Sequence, residues 1–111
     1  MDKISFEDWK KLELKIGKII KVERVENSDK LYKLQVDLGE ETPRQIVSGL
    51  VPHFSEDELL GKRIVVLANL APAKFRGEIS NGMLLVADDT KTNKLELLTS
   101  FGEVSEGSVV S

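Results

Sequence analysis

The chain has 111 residues, 41% of them apolar and 32% charged, which is the size and balance of one soluble domain with its own core. It contains no cysteine and one histidine, His53, so disulfides, thiolate nucleophiles and cysteine-based metal sites are excluded, and a catalytic zinc site lacks imidazoles. Sixteen basic against 19 acidic residues give a net charge of −3, which weighs mildly against a nucleic-acid partner, and no apolar run reaches the length of a membrane span.

In chain order, Ser5-Phe6-Glu7-Asp8-Trp9 predicts a short helix, with Ser5 and Asp8 as a capping-box pair and Ile4 meeting Trp9 as a hydrophobic staple. Leu14 to Glu23 then alternates apolar and polar, a half-buried strand in which Ile19 breaks the alternation and Gly17 marks a bend. Asn27-Ser28-Asp29 supplies a turn, and Tyr32, Leu34, Val36 and Leu38 set the period of a second strand. Arg44 to Ser48 reads as a third strand. Ser55-Glu56-Asp57-Glu58 repeats the capping pattern and opens a helical turn that Gly61 stops. Ile64 to Ala68 is a continuous apolar strand expected to be covered on both faces, Asn69 to Gly82 a long loop, and Met83 to Ala87 a fifth strand. Asp88 to Asn93 is a turn, and Leu95 to Leu98 and Val104 to Val110 add short strands.

Five principal strands with one small helix between the third and fourth predict an all-β chain, a five-stranded OB-fold barrel with short helices and a C-terminal β extension. Another small β-barrel would also satisfy the pattern. The barrel spans about 14–87 and the extension about 88–111, within one domain. No signal-peptide core follows the first residues, and a reducing, cytoplasmic setting is expected.

Enzymatic readings fare badly. Glu40-Glu41 and Asp88-Asp89 are adjacent pairs at turns, where solvated carboxylates are the ordinary outcome. His53 follows Pro52 in a loop and has no evident nucleophile, and Ser48-Gly49 lacks the preceding glycine of a nucleophile elbow. There is no phosphate-cradling P-loop and no dinucleotide fingerprint. No catalysis and no cofactor are expected.

The charge distribution is more informative than its sum. Residues 61–82 hold four basic side chains, Lys62, Arg63, Lys74 and Arg76, against the single acid Glu78. Lys74 and Arg76 lie in the 69–82 loop with Asn69, Ser80 and Asn81 as neutral hydrogen-bonders, the groups that phosphate and sugar oxygens accept from. An ordinary long turn with solubilising charges is the alternative on these grounds alone.

Four stretches together carry a resemblance. They are Leu14-Lys15-Ile16-Gly17-Lys18-Ile19, Ser28-Asp29-Lys30-Leu31-Tyr32, Arg44-Gln45-Ile46-Val47-Ser48-Gly49-Leu50, and Asn69 through Met83. In this order and spacing they resemble the tRNA-binding domain found at the C-terminus of many methionyl-tRNA synthetases. Endothelial-monocyte-activating polypeptide and free-standing dimeric proteins carry the same domain. The first two stretches are weak singly; the last two are specific.

The resemblance implies an OB-fold that binds tRNA by shape and backbone, with little sequence preference. It carries over Lys30, Arg44, Lys74 and Arg76 as phosphate contacts, and Asn69, Ser80 and Asn81 as loop-shaping or sugar- and base-reaching groups. Met83 is carried over with them, although packing is the favoured role for a methionine at a strand start. Gln45 either hydrogen-bonds beside Arg44 or faces solvent. Ala71 stands where many relatives have lysine, and Phe75 where methionine is common, with inward packing favoured over base stacking. The implied partners are tRNA, a second copy through the extension, and a methionyl-tRNA synthetase. Leu95, Leu97, Leu98, Val104, Val109 and Val110 suit such a dimer and would equally close the monomer's own core. A dimeric export chaperone on the same fold and a purely structural synthetase adaptor are the rival implications.

Overall fold

The computed structural model describes residues 2–111. Its elements are α1 (Phe6–Trp9), β1 (Leu14–Arg24), β2 (Tyr32–Asp37), β3 (Arg44–Ser48), α2 (Glu56–Leu59) and β4 (Arg63–Leu67), followed by β5 (Ala73–Phe75), β6 (Glu78–Ser80), β7 (Met83–Leu84), β8 (Val86–Asp89), β9 (Lys94–Leu97) and β10 (Val109–Val110). Antiparallel pairing runs β3-β2-β1-β4-β7, and the Asn81 N–H donates to the Gln45 carbonyl at 2.8 Å, joining the two ends into a nearly closed barrel. The five-stranded OB-like barrel expected from the element order is therefore present, with α2 between its third and fourth strands.

β1 is long because it serves two cores. Ile19 and Val22 face the barrel interior with Leu34, Val36, Ile46, Ile64 and Val66, whereas Leu14 and Ile16 face outward with Val65. Alternation alone puts Ile19 on the face opposite Leu14 and Ile16; letting the strands cross here and bringing Val22 to the face of Ile19 take two local devices. At Gly17 a β-carbon would lie 2.6 Å from Val36 Cγ1 and 2.7 Å from Leu38 Cδ2, so only glycine lets the strands cross this closely. Between Ile19 and Lys21 the register with β2 slips, leaving Ile20 unpaired and 44% exposed in a bulge. The break in alternation thus comes from Ile20, one residue beyond the expected position.

The outward cluster explains the apolar run of β4. Ile64 and Val66 fill the barrel, and Val65 and Leu67 are covered from outside by Leu85 and Val110. The expected fifth strand breaks at Leu85, whose N–H turns to the Val65 carbonyl at 2.9 Å while its own carbonyl accepts from Leu98 N–H at 3.2 Å. Past this break a separate β8–β9 hairpin returns Leu95 and Leu97 to the main core. Asp89 holds its turn by accepting from Lys91 N–H and Thr92 Oγ1, and the Thr92 hydroxyl, followed by the Lys91 N–H, keeps its carboxyl below the usual range.

The last residues are a strap. β10 pairs with β1 through Leu14↔Val110 and Lys15↔Val109, and the Ser108 carbonyl and Gly107 N–H bond Ile16 at 2.9 and 2.7 Å. Of the expected Val104–Val110 strand only Val109 and Val110 are extended partners; 104–108 is irregular. At the other end, the α1 cap is half of the expected box. Ser5 Oγ accepts from Asp8 N–H, but the Asp8 carboxylate goes to Lys11 at 3.0 Å, and Ile4 is 68% exposed rather than clamped against the body. The box at Ser55 and Glu58 is complete.

Candidate nucleic-acid interface

The expected 69–82 loop is instead a hairpin. Ala73↔Ser80, Lys74↔Ile79 and Phe75↔Glu78 pair across it. Its two-residue turn has Arg76 at φ 52° and Gly77 at φ 86°, the two left-handed residues that a tight hairpin with native twist demands. Strands of three residues are too short to show a period in the sequence, which is why this region reads as a loop there.

Alternation divides the hairpin's side chains between two faces. Glu78 and the half-buried Phe75 face the barrel, and Lys74 and Ile79 point outward, the latter 48% exposed. Phe75 thus takes the inward side that sequence reasoning favours. Ser80 anchors the base of the hairpin: it is 2% exposed, its Oγ accepts from Val47 N–H at 3.0 Å, and it donates to the Gly82 carbonyl at 2.8 Å.

A polar seam joins hairpin to sheet. Gln45 Nε2 donates to the Ile79 carbonyl at 2.9 Å and to Glu78 Oε1 at 3.3 Å, and Gln35 Nε2 donates to Gln45 Oε1 at 3.1 Å. Lys33 Nζ sits 3.4 Å from Glu78 Oε2. Gln45 is therefore a structural bond to the hairpin. Lys33, Gln35 and Glu78 are members that sequence reasoning missed; their positions on the outward face of β2 and opposite β3 were the available signal.

The other residues singled out by sequence fall into distinct settings. Arg44 ion-pairs with Glu40 through two contacts, at 3.0 and 2.9 Å, and also donates to the carbonyls of Ala68 and Asn81. Glu40 is thereby more than a solvated turn carboxylate: the Arg44 hydrogen bond, the leading influence, holds its carboxyl below the usual range against some desolvation. Asn69 ties the N-terminal segment to the barrel, accepting from Glu13 N–H at 2.9 Å and donating to the Lys11 carbonyl at 2.6 Å. Met83 is half-buried opposite Leu67. Lys30, Lys74, Arg76 and Asn81 are exposed, and among the described residues none of the three cations has an ion-pair partner. His53 is exposed in its loop.

Two clefts flank the hairpin. One, of about 740 Å³, is lined by Gln35, Glu40, Arg44, Gln45, Leu70 and Asn81. The other, of about 340 Å³, sets Arg76 and Glu78 against Lys33 and the β1–β2 loop at Val25, Glu26 and Asn27. Lys30 belongs to that same loop. This second cleft is mixed in charge, with Glu23, Glu26 and Glu78 beside Arg24, Lys33 and Arg76, so the cations open to an anionic ligand are the exposed Lys30, Lys74 and Arg76. No group of acids and histidines among the described residues is arranged to hold a metal ion, and no described helix is long and apolar enough to cross a membrane.

A small, nearly closed barrel of this form is an architecture that oligonucleotide-binding modules use. Residues 14–109 match the family described as "Putative tRNA binding domain", and the chain belongs to that family. It is 50% identical over 109 residues to the methionine--tRNA ligase of Archaeoglobus fulgidus, covering 98% of this chain and 16% of that enzyme. To the Thermotoga maritima methionine--tRNA ligase it is 49% identical, covering 97% and 17%. The chain thus spans about a sixth of these curated relatives, and the family is a tRNA-binding rather than a catalytic domain. Among solved structures, a MetRS-related protein from Pyrococcus horikoshii superposes with a TM-score of 0.91 and 35% identity, each chain covered in full. The CsaA chaperone protein of Picrophilus torridus shares the fold with a TM-score of 0.87 at 24% identity, covering 98% of this chain and 100% of that one.

Proposed function

We propose that this chain is a free-standing tRNA-binding module that docks on the phosphate backbone of folded tRNA and acts beside a methionyl-tRNA synthetase in the cytoplasm, with no chemistry of its own. The observation that carries this reading is the hairpin, which projects Lys74 and Arg76, without ion-pair partners among the described residues, from a base fixed by Ser80 and Gln45. Lys30, exposed in the β1–β2 loop beside Val51, is a further cation for the backbone, and the exposed Asn81 amide, without a side-chain partner among the described residues, is open to sugar or base edges. Ser80 and Met83 support the hairpin's base from within, and Asn69 fixes its approach by tying it to the N-terminal segment. Folded RNA suits this arrangement because its phosphates and 2′-hydroxyls are accessible while its deep groove is not.

The domain reading is a barrel over about 14–87 with an extension that mediates a homodimer. Its support is an apolar cleft of about 230 Å³ between α1 and β10, lined by Phe6, Trp9, Leu12, Leu14, Val109 and Val110. Phe6 is 69% and Val109 75% exposed there, side chains that a second copy would cover. Two cationic hairpins on one body would raise the apparent affinity for a large RNA.

The test is a titration of a tRNA transcript across a salt series, with duplex DNA and a disordered peptide as competitors. The log of the affinity is expected to fall linearly with log salt, by about 0.7–0.9 per phosphate contact. The doubly substituted K74A/R76A protein should bind at least about tenfold more weakly and with a shallower slope. Equal affinity of that protein and wild type at low salt overturns the reading. Displacement by peptide but not by tRNA would assign the barrel to the chaperone-like alternative.

A further inference from the structure

We propose that Arg44, placed by its sequence context among the phosphate contacts, is a positioning residue: it ties the three loops at the base of the hairpin together, and so aims Lys74 and Arg76 without touching RNA itself. This rests on the tRNA-binding reading. A guanidinium has five N–H groups. In Arg44, Nε and one terminal nitrogen donate to the two Glu40 oxygens at 3.0 and 2.9 Å, and the other terminal nitrogen donates to the Ala68 carbonyl and, at 3.3 Å, to the Asn81 carbonyl. Four of the five donors are engaged, leaving one for any ligand.

Charge points the same way. A forked guanidinium–carboxylate pair is close to neutral from outside, so a phosphate approaching Arg44 meets Glu40 as well. Capturing that phosphate would break the Glu40 pair and leave its carboxylate beside the incoming anion. Lys74 and Arg76 carry no such partner among the described residues.

The three groups that Arg44 holds are also not random. Glu40 lies in the β2–β3 loop, Ala68 directly follows β4, and Asn81 joins β6 to β7. Ala68 and Asn81 bracket the 69–80 segment that contains the hairpin, and the Asn81 N–H simultaneously binds the Gln45 carbonyl next to Arg44. One side chain therefore fixes both ends of the segment to the start of β3.

The experiment compares wild type with R44K, R44Q, E40Q and K74A, using one tRNA transcript across a salt series, together with amide exchange of the RNA-free proteins at Asn81 and along β5–β6. A strut depends on the planar fork, which lysine lacks. R44K and R44Q are therefore both expected to bind about five- to tenfold more weakly, the scale of one net hydrogen bond, with an unchanged salt slope and faster exchange at Asn81. E40Q should shift in the same direction, whereas K74A should lower the slope by about 0.7–0.9 with hairpin exchange unchanged.

A phosphate contact predicts the reverse. R44K would stay near wild type, R44Q would flatten the slope as K74A does, and E40Q would tighten binding by freeing the guanidinium. Any of those results overturns the proposal. If wild type itself fails to bind tRNA, the functional reading falls while the exchange data still decide Arg44's role: faster exchange in R44K supports the strut, and wild-type exchange overturns it.

Discussion

The hairpin at 69–82 and the tail at 98–111 both cover a flank of the same barrel, yet they are attached by different chemistry. The hairpin is held largely by side chains, beside one main-chain bond from Asn81 to Gln45: Ser80, Gln45, Glu78 and Arg44 each reach a specific partner. The tail is held largely by main chain, through Ile16, Gly107 and Ser108, with Val110 seated on the outer cluster and Arg63 donating to the Val104 carbonyl. Side-chain attachment fixes orientation in three dimensions, which suits a segment that must aim charged groups. Main-chain pairing fixes register and so which side chains face inward, which suffices for a strap whose task is to cover Leu14, Ile16 and Val65.

The largest effect is expected at the tail. Gly39 and Gly107 pass each other so closely that a β-carbon on Gly107 would lie 2.6 Å from the Leu38 carbonyl oxygen, and its φ of +89° already disfavours other residues. Gly107→Ala should therefore cost about 2–4 kcal/mol by urea unfolding. Gly102→Ala, at a position where no atom lies within 4 Å, should stay within about 0.5 kcal/mol of wild type. Equal midpoints for the two variants would mean that the strap does not rest on the barrel.

At the hairpin the matching change is Ser80→Ala. It leaves the Val47 N–H and the Gly82 carbonyl without their partner at a site only 2% exposed. A loss of about 1–3 kcal/mol is expected, the cost of stranding buried polar groups. Amide exchange at Val47 should rise and tRNA affinity should fall with it, since the base of the hairpin loosens. A variant with wild-type stability and slow exchange at Val47 would show that the sheet pairing, and not the hydroxyl, holds the hairpin.

These attachments differ in how visibly they are written in the chain. The five barrel strands were legible because alternation at Tyr32–Leu38 and the unbroken run at Ile64–Ala68 report burial on one face and on two. The fifth strand was legible only to its midpoint: nothing local distinguishes Leu84, which faces the barrel, from Leu85, which faces the outer cluster. The hairpin was hidden by its shortness, although Arg76-Gly77 flanked by Phe75 and Glu78 was a readable turn once pairing was considered. Of the candidate residues, types and locations were legible but engagement was not. Arg44, Lys74 and Arg76 look alike as letters, and only the fold shows that Glu40 occupies the first while the others point outward. Exposure of the α1 and tail side chains was equally invisible, because apolar residues at a surface and in a core obey the same pattern.

Arg76 supplies the smallest and most diagnostic test of the hairpin's design. It is a long, charged, non-glycine residue held at φ 52°, a conformation in which a β-carbon crowds the following carbonyl. If Arg76 is retained there for its charge, Arg76→Gly should stabilise the domain by about 0.5–1 kcal/mol by relieving that crowding, in spite of glycine's greater unfolded-state entropy. Arg76→Ala keeps the β-carbon and should show no such gain. Both variants lose one guanidinium, so both should flatten the salt dependence of tRNA binding by about 0.7–0.9. A gain in stability coupled to a loss of RNA contact is the signature of strain held at a binding residue. If instead the glycine variant is no more stable than the alanine one, the turn carries no strain at this position. Whether Arg76 contacts RNA is then decided by the salt slope of its two variants alone, set against those of the Lys74 and Lys30 alanine variants.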